Sequence, residues 1–186
     1  SSSTGNLESD RNNPEQAEYS RRAKENFYEG LKTAQVVLYA GHSRKGGGID
    51  FDVAHTYREK EGRKVLQKTD YNYYQRNRPG FNEMVKNMKP IKNGPPLVGM
   101  FSCISGEHFA SSMKKGLPGS GFIFTKRDRD GNPDRQYYET QIGQVYATID
   151  SVLAQQCEDA FNQAFKKTSV WYGQSDLPVP YMENVF

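Results

Sequence analysis

The amino-acid sequence predicts an α/β fold, a layered α/β/α sandwich built on a mainly parallel sheet. Three short runs are continuously apolar and rich in β-branched or aromatic residues: QVVLYA (35–40), LVGMFSC after Pro95 and Pro96 (97–103), and GFIFTK after Gly119 (121–126). Such runs belong to strands covered on both faces, as in a parallel sheet flanked by helices. Segments with helical spacing of apolar residues lie before, between and after them. Alternation of strand and helix is how parallel strands are connected. The sequence contains no internal repeat.

Taken in order, residues 1–17 (SSSTGNLESDRNNPEQA) offer only Leu7 and Ala17 as apolar side chains. That is too little burial to offset ordering entropy, so a flexible N-terminal arm is expected. The rest, 18–186, reads as one α/β domain. Ala17, Ala23, Phe27, Tyr28 and Leu31 fall near helical spacing, with Gly30 close to the helix end. The first strand follows and closes at Gly41. Residues 43–78 form a polar insertion rich in Gly and Tyr, and loops of this length are functional or disordered. Helices are expected at about 80–88, 106–115 and 140–166. The last carries Ile142, Val145, Ile149, Val152, Leu153, Ala160, Phe161 and Ala164 along one stripe. The final residues, 168–186, with Trp171 and Phe186, are expected to pack as an extended strap.

Composition bounds the function. A chain of 186 residues suits one domain, and 25 Lys+Arg against 22 Asp+Glu leave a net charge of +3. That balance is too mild to argue for a nucleic-acid partner. Hydrophobic residues make up 35% and mean hydropathy is −0.87, so a core requires the polar residues to collect in loops and tails. Its 12 Tyr and 10 Phe supply large apolar surfaces for that core. No run approaches the ~18 apolar residues of a membrane helix. Two cysteines, Cys103 and Cys157, exclude a disulfide scaffold and a four-thiolate zinc site. The chain begins at Ser1 rather than Met, as a processed chain or a fragment would, and no signal-peptide apolar region is visible.

Working residues of open α/β sheets cluster outside the carboxyl ends of the strands. Two strand ends here deliver reactive side chains: His42 after VVLYAG and Cys103 after LVGMFS. Should the two strands be neighbours, both side chains emerge at one sheet edge. A thiol becomes a nucleophile on losing its proton, and a nearby imidazole is the usual acceptor. The Cys103 amide, at a strand-to-helix turn, is also suited to stabilising an oxyanion, because the next helix points its positive end there.

VVLYAGHS…LVGMFSCISGEHF resembles the paired strand-end histidine and cysteine of the caspase-like cysteine peptidases. That clan includes caspases, legumains, gingipains, separase and the CHAT domains. The resemblance spans roughly Gln35 to Phe124. It implies a caspase-haemoglobinase-like fold and peptide-bond hydrolysis through a thioester acyl-enzyme, with protein or peptide substrates and no metal or organic cofactor. His42 would be the general base and acid and Cys103 the nucleophile, with amide donors around Gly41, Ser43 and Cys103 forming the oxyanion hole. Ser102 takes the place of the small residue before the nucleophile and is assigned with Asp50 and Asp52 to substrate binding. Where the family has glycine after the histidine, this chain has Ser43. The family also has two strands before the histidine strand, so a second chain or a preceding segment completing the sheet is expected. The alternative is a catalytically inactive scaffold or binding domain on the same fold. A third reading, a small α/β domain acting on a metabolite, lacks any phosphate-binding signature.

Other residues have plainer explanations. Cys157 sits beside Glu158 and Asp159, which disfavour a thiolate, and is read as structural. His55 is the rival base to His42, and His108 is expected to be solvated or to cap a helix. Gly46–Gly48 lacks the P-loop ending and is read as a flexible active-site flap. Asp50 and Asp52 just beyond it would suit a pocket for basic side chains. DRDGNPD (128–134) has its glycine misplaced for a calcium loop and reads as a turn. Tyr71, Tyr73, Tyr74, Gln75, Arg76 and Arg78 form a basic aromatic patch, expected to face a substrate or partner rather than nucleic acid.

Overall fold

The computed structural model describes residues 12–62, 64–89, 91–126, 138–155, 163 and 181–183. Helix α1 spans Pro14–Thr33. Asn13 caps it by accepting the Glu15 N–H at 3.0 Å, Pro14 fits the first turn, and Glu15 adds negative charge there. It therefore begins inside the segment expected to be a flexible arm. The correction has a physical cause: Gln16 and Ser20 are buried on the inner face of α1, so packing orders a turn whose composition is polar.

Strand β1 (Val36–Ala40) follows. In its described residues the polar insertion carries regular structure rather than a long loop. It holds a short 3-10 turn at Arg44–Gly46, a hairpin of β2 (Thr56–Glu61) and β3 (Lys64–Thr69), and helix α2 (Tyr71–Asn77). Helix α3 spans Pro79–Met88, β4 Leu97–Phe101, α4 Ser105–Gly116 and β5 Gly121–Phe124. Helix α5 covers Tyr138–Leu153 and β6 covers Tyr181–Glu183. The strap expected at the C-terminus is thus a regular strand over those three residues. Cys157, Trp171, Phe186 and the 128–134 turn lie outside the described residues, as does all but Gln163 of the expected helix beyond Gln155.

The main sheet has the order β1-β4-β5-β6, the first three parallel and β6 antiparallel to β5. Among the described residues β1 is an outer strand. Every residue of β4 and β5 is buried, which is why these runs read as continuously apolar. Alternate side chains then serve two cores. Val37, Tyr39, Val98, Met100, Phe122 and Phe124 pack with α1, α3 and α4, while Leu38, Leu97, Phe101 and Ile123 pack with Val145 of α5. Helices therefore cover both faces, giving the α/β sandwich. No helix among the described residues is long and apolar enough to cross a membrane.

Candidate active site

The register of the sheet determines what meets at its edge. Ala40 pairs with Phe101, so His42 and Cys103 each stand two positions past a paired residue, on the tips of adjacent parallel strands. Neighbouring strands run about 4.8 Å apart. The chains stay joined beyond the ladder, where the Gly41 N–H donates to the Phe101 carbonyl at 3.2 Å. The Ser43 hydroxyl then donates to the Cys103 carbonyl at 2.7 Å. Cys103 is a free, partly exposed thiol, and His42 is exposed.

Each tip is fixed by groups that apolar patterning does not mark. Tyr39 is buried, and its hydroxyl donates to the His42 carbonyl and accepts the Asp50 N–H, both at 2.9 Å. Burial raises its pKa well above the ordinary 10.0, so the donor proton is retained. At the other tip Ile104 takes a left-handed conformation, φ 43° and ψ 43°, which is strained for a β-branched residue. The turn is held from beneath. The Thr125 hydroxyl donates to the Ser102 carbonyl and accepts the Ser105 N–H at 3.1 Å. The Ser105 hydroxyl donates to the Met100 carbonyl at 2.6 Å and accepts the Thr125 N–H at 2.9 Å. Sequence reasoning missed Tyr39, Ser105 and Thr125. Their only mark is polarity at the ends of apolar runs.

Although His42 reaches the surface, its imidazole is held below its ordinary 6.5, first by loss of solvent on the side facing the protein and then by the charge of Arg44, with Asp50 opposing. It is therefore neutral near pH 7, the form that accepts a proton. The amide of Cys103 donates to no acceptor among the described residues, and it sits where the positive end of α4 points.

Several expected roles change. Gly41 cannot offer its amide to an oxyanion, because the Phe101 carbonyl already takes it. Ser102 is fully buried and its hydroxyl has no hydrogen-bond partner among the described residues, so it is out of reach of substrate and joins the turn through its backbone. The Asp50 carboxylate pairs with the Arg44 Nε at 2.5 Å, both side chains being about nine-tenths buried, so it is neutralised inside the loop and is no open pocket acid. Burial nonetheless pushes its pKa up, Arg44 acting against that. Asp52 is exposed and lies 3.4 Å from Lys24, which also pairs with Glu83 at 2.9 Å.

Asp50 and Asp52 line a cleft of about 570 Å3 bounded by residues 47–56 and by parts of α2 and α3. Neither His42 nor Cys103 lines it. His55 does, stacked on Tyr73 with ring centroids 3.8 Å apart, on the cleft side rather than at the strand tips. The glycine loop is no flap either. Gly46, Gly47 and Gly48 are buried, Arg78 donates to the Gly46 carbonyl at 3.1 Å and the Phe81 N–H to Gly47 at 2.9 Å. A Cβ on Gly46 would lie 2.9 Å from Nδ1 of His108, so that histidine is a packing neighbour of the loop. At Gly48 a Cβ would lie 1.9 Å from the Phe81 nitrogen, and only glycine fits.

No family model, no curated protein and no solved structure matches the chain.

Proposed function

We propose that the chain is a caspase-like cysteine endopeptidase domain in which His42 and Cys103 act as a dyad on peptide bonds. The observation that carries the reading is the register match: two reactive side chains, each two residues past a paired position, on adjacent parallel strands tied together by the Ser43 hydroxyl.

In this mechanism the neutral imidazole of His42 takes the thiol proton as the Cys103 sulfur attacks the scissile carbonyl. The amide of Cys103, reinforced by the first turn of α4, faces the developing oxyanion. Collapse of the tetrahedral species expels the amine, which receives its proton from His42, and leaves a thioester on Cys103. Water, deprotonated by His42, then attacks the thioester and releases the acid. All of this is proton transfer and acyl transfer by the chain's own groups. The substrate is a peptide or protein, and a strand from a second chain or a preceding segment would add to the sheet beside β1.

A scaffold reading keeps one supporting observation: the His42 ring makes no hydrogen bond to the described residues, so no carboxylate orients it. Thiol chemistry separates the two readings. A catalytic cysteine is alkylated at pH values where an ordinary thiol, with a pKa of about 8.5, is slow. Peptide hydrolysis by the wild type, lost in Cys103→Ala with the thermal midpoint unchanged, is the expected result. Turnover that survives Cys103→Ala would eliminate the peptidase reading.

A further inference from the structure

We infer that Ser43 is the positioning residue of the dyad: through its hydroxyl it sets the distance between the histidine tip and the cysteine tip. The inference rests on the proposed peptidase reading and adds to it a side chain whose chemistry the resemblance does not supply, since the family has glycine at this place.

Ser43 is held on every side. The residue is 2% exposed. Its carbonyl accepts the Gly46 N–H at 2.9 Å and the Gly48 N–H at 3.3 Å, so the turn after the histidine closes on it. The preceding carbonyl, that of His42, is held by the Tyr39 hydroxyl at 2.9 Å. With its backbone fixed on both sides, the hydroxyl of Ser43 reaches across to the Cys103 carbonyl at 2.7 Å. A peptide unit is planar, so capturing that carbonyl sets the plane of the whole Cys103–Ile104 peptide.

Strain makes this bond consequential. Arg44 and Lys45 on one side and Ile104 on the other all have positive φ, at 46°, 51° and 43°. Residues in such conformations relax unless their surroundings hold them. Removing the Ser43 hydroxyl unties the two strained turns from each other while leaving each turn's own support in place. Separation of the tips should then drift without the fold being lost.

The test uses the full chain and the variants Ser43→Ala, Ser43→Gly and Ser43→Thr. Two readouts are taken: turnover of a fluorogenic tetrapeptide library, and the pH profile of iodoacetamide alkylation at Cys103, followed by mass spectrometry with the urea-unfolded chain as the reference. In the alanine variant kcat should fall about tenfold to a hundredfold, the loss expected for a misplacement of about 1 Å, with KM little changed. The Cys103 alkylation profile should move toward that of the same thiol in the urea-unfolded chain, and Ser43→Thr should restore both.

Other outcomes overturn the inference. If the wild type is active and the alanine variant keeps its kcat and profile, the clasp has no role while the dyad reading stands. A loss that threonine does not restore, or alanine and glycine variants that no longer melt cooperatively, would make Ser43 a packing residue only. If wild-type Cys103 reacts no faster in the folded chain than in the urea-unfolded chain and no peptide is cleaved, the dyad reading itself falls and takes the inference with it.

Discussion

Replacing Thr125 by Val tests whether the turn under Cys103 is held as described. The two side chains have nearly the same shape, so the exchange deletes a hydroxyl and little else. Thr125 is fully buried. Its hydroxyl donates to the Ser102 carbonyl, accepts the Ser105 N–H at 3.1 Å and lies 3.2 Å from the Ser105 hydroxyl. Valine cannot replace any of these, but neither partner is wholly orphaned, because the Ser105 N–H also reaches the Ser102 carbonyl at 3.2 Å. Two buried hydrogen bonds at about 1 kcal/mol each give a loss of about 2 kcal/mol, with about 3 kcal/mol as a ceiling for incomplete rescue. For a chain of this size that lowers the thermal midpoint by roughly 4–8 °C. Thr125→Ser keeps the hydroxyl and loses a methyl, so it should cost about 1 kcal/mol and leave Cys103 alkylation as in the wild type. The assay is urea unfolding with iodoacetamide labelling of the folded variants. A Thr125→Val chain within about 0.5 kcal/mol of wild type, the usual range for a surface change, would refute the hydrogen-bonded account of this turn.

Two further outcomes follow from the charges around His42. On the proposed peptidase reading, the acid limb of kcat/KM, which reports the free enzyme's base, should have its midpoint below the ordinary 6.5, because desolvation and Arg44 both lower His42; a midpoint at or above that value would remove His42 as the base. The stability sign agrees: the unfolded chain binds more protons between the lowered value and 6.5, so this group's contribution is full above 6.5 and is lost as pH falls. Arg44→Met should cost about 3 kcal/mol or more at neutral pH, since it strands a buried carboxylate. That deficit should shrink as the pH is lowered and Asp50 protonates, because a folded-state pKa raised above 3.8 makes stability fall with rising pH. The same variant should move the acid limb upward, Asp50 being left to act on His42 unopposed. Urea unfolding at several pH values checks the first claim, and a deficit independent of pH would count against it.

Residues that pack were legible in the sequence, and residues that hold each other by hydrogen bonds were not. Val36–Ala40, Leu97–Phe101 and Gly121–Phe124 announce themselves because burial on both faces leaves no polar position. Helix α4 was read within a residue of its ends. The hairpin Thr56–Thr69 was missed because β2 and β3 are largely exposed, with Glu59, Lys68 and Glu61 paired across the surface; polar residues on both faces leave no alternation to see. An arm boundary at residue 17 overruns the first turn of α1 because the side chain buried there, Gln16, is polar. At the candidate site, His42 and Cys103 were found from their place after apolar runs. That Asp50 is spent on Arg44, and that Ser102 is sealed, follows only from the path of the loop between them.

The distribution of backbone strain gives the site its most specific physical property. Of the five non-glycine residues with positive φ among those described, Arg44, Lys45 and Ile104 lie in the two turns that carry His42 and Cys103. Each such conformation costs on the order of 1–3 kcal/mol, so a chain selected only for stability would place glycine there. This chain instead surrounds the turns with buried donors: Tyr39 under His42, Ser43 between the tips, Ser105 and Thr125 under Cys103. Bonds of that kind contribute about 1 kcal/mol apiece, which opposes part of the strain and leaves the backbone little freedom at either tip. The glycine loop beside them is packed rather than mobile, since a Cβ at Gly80 would lie 2.1 Å from the Ile49 carbonyl oxygen. On the proposed reading, the backbone of both tips is therefore set before a peptide arrives, and the exposed His42 ring is what the bound peptide has still to order.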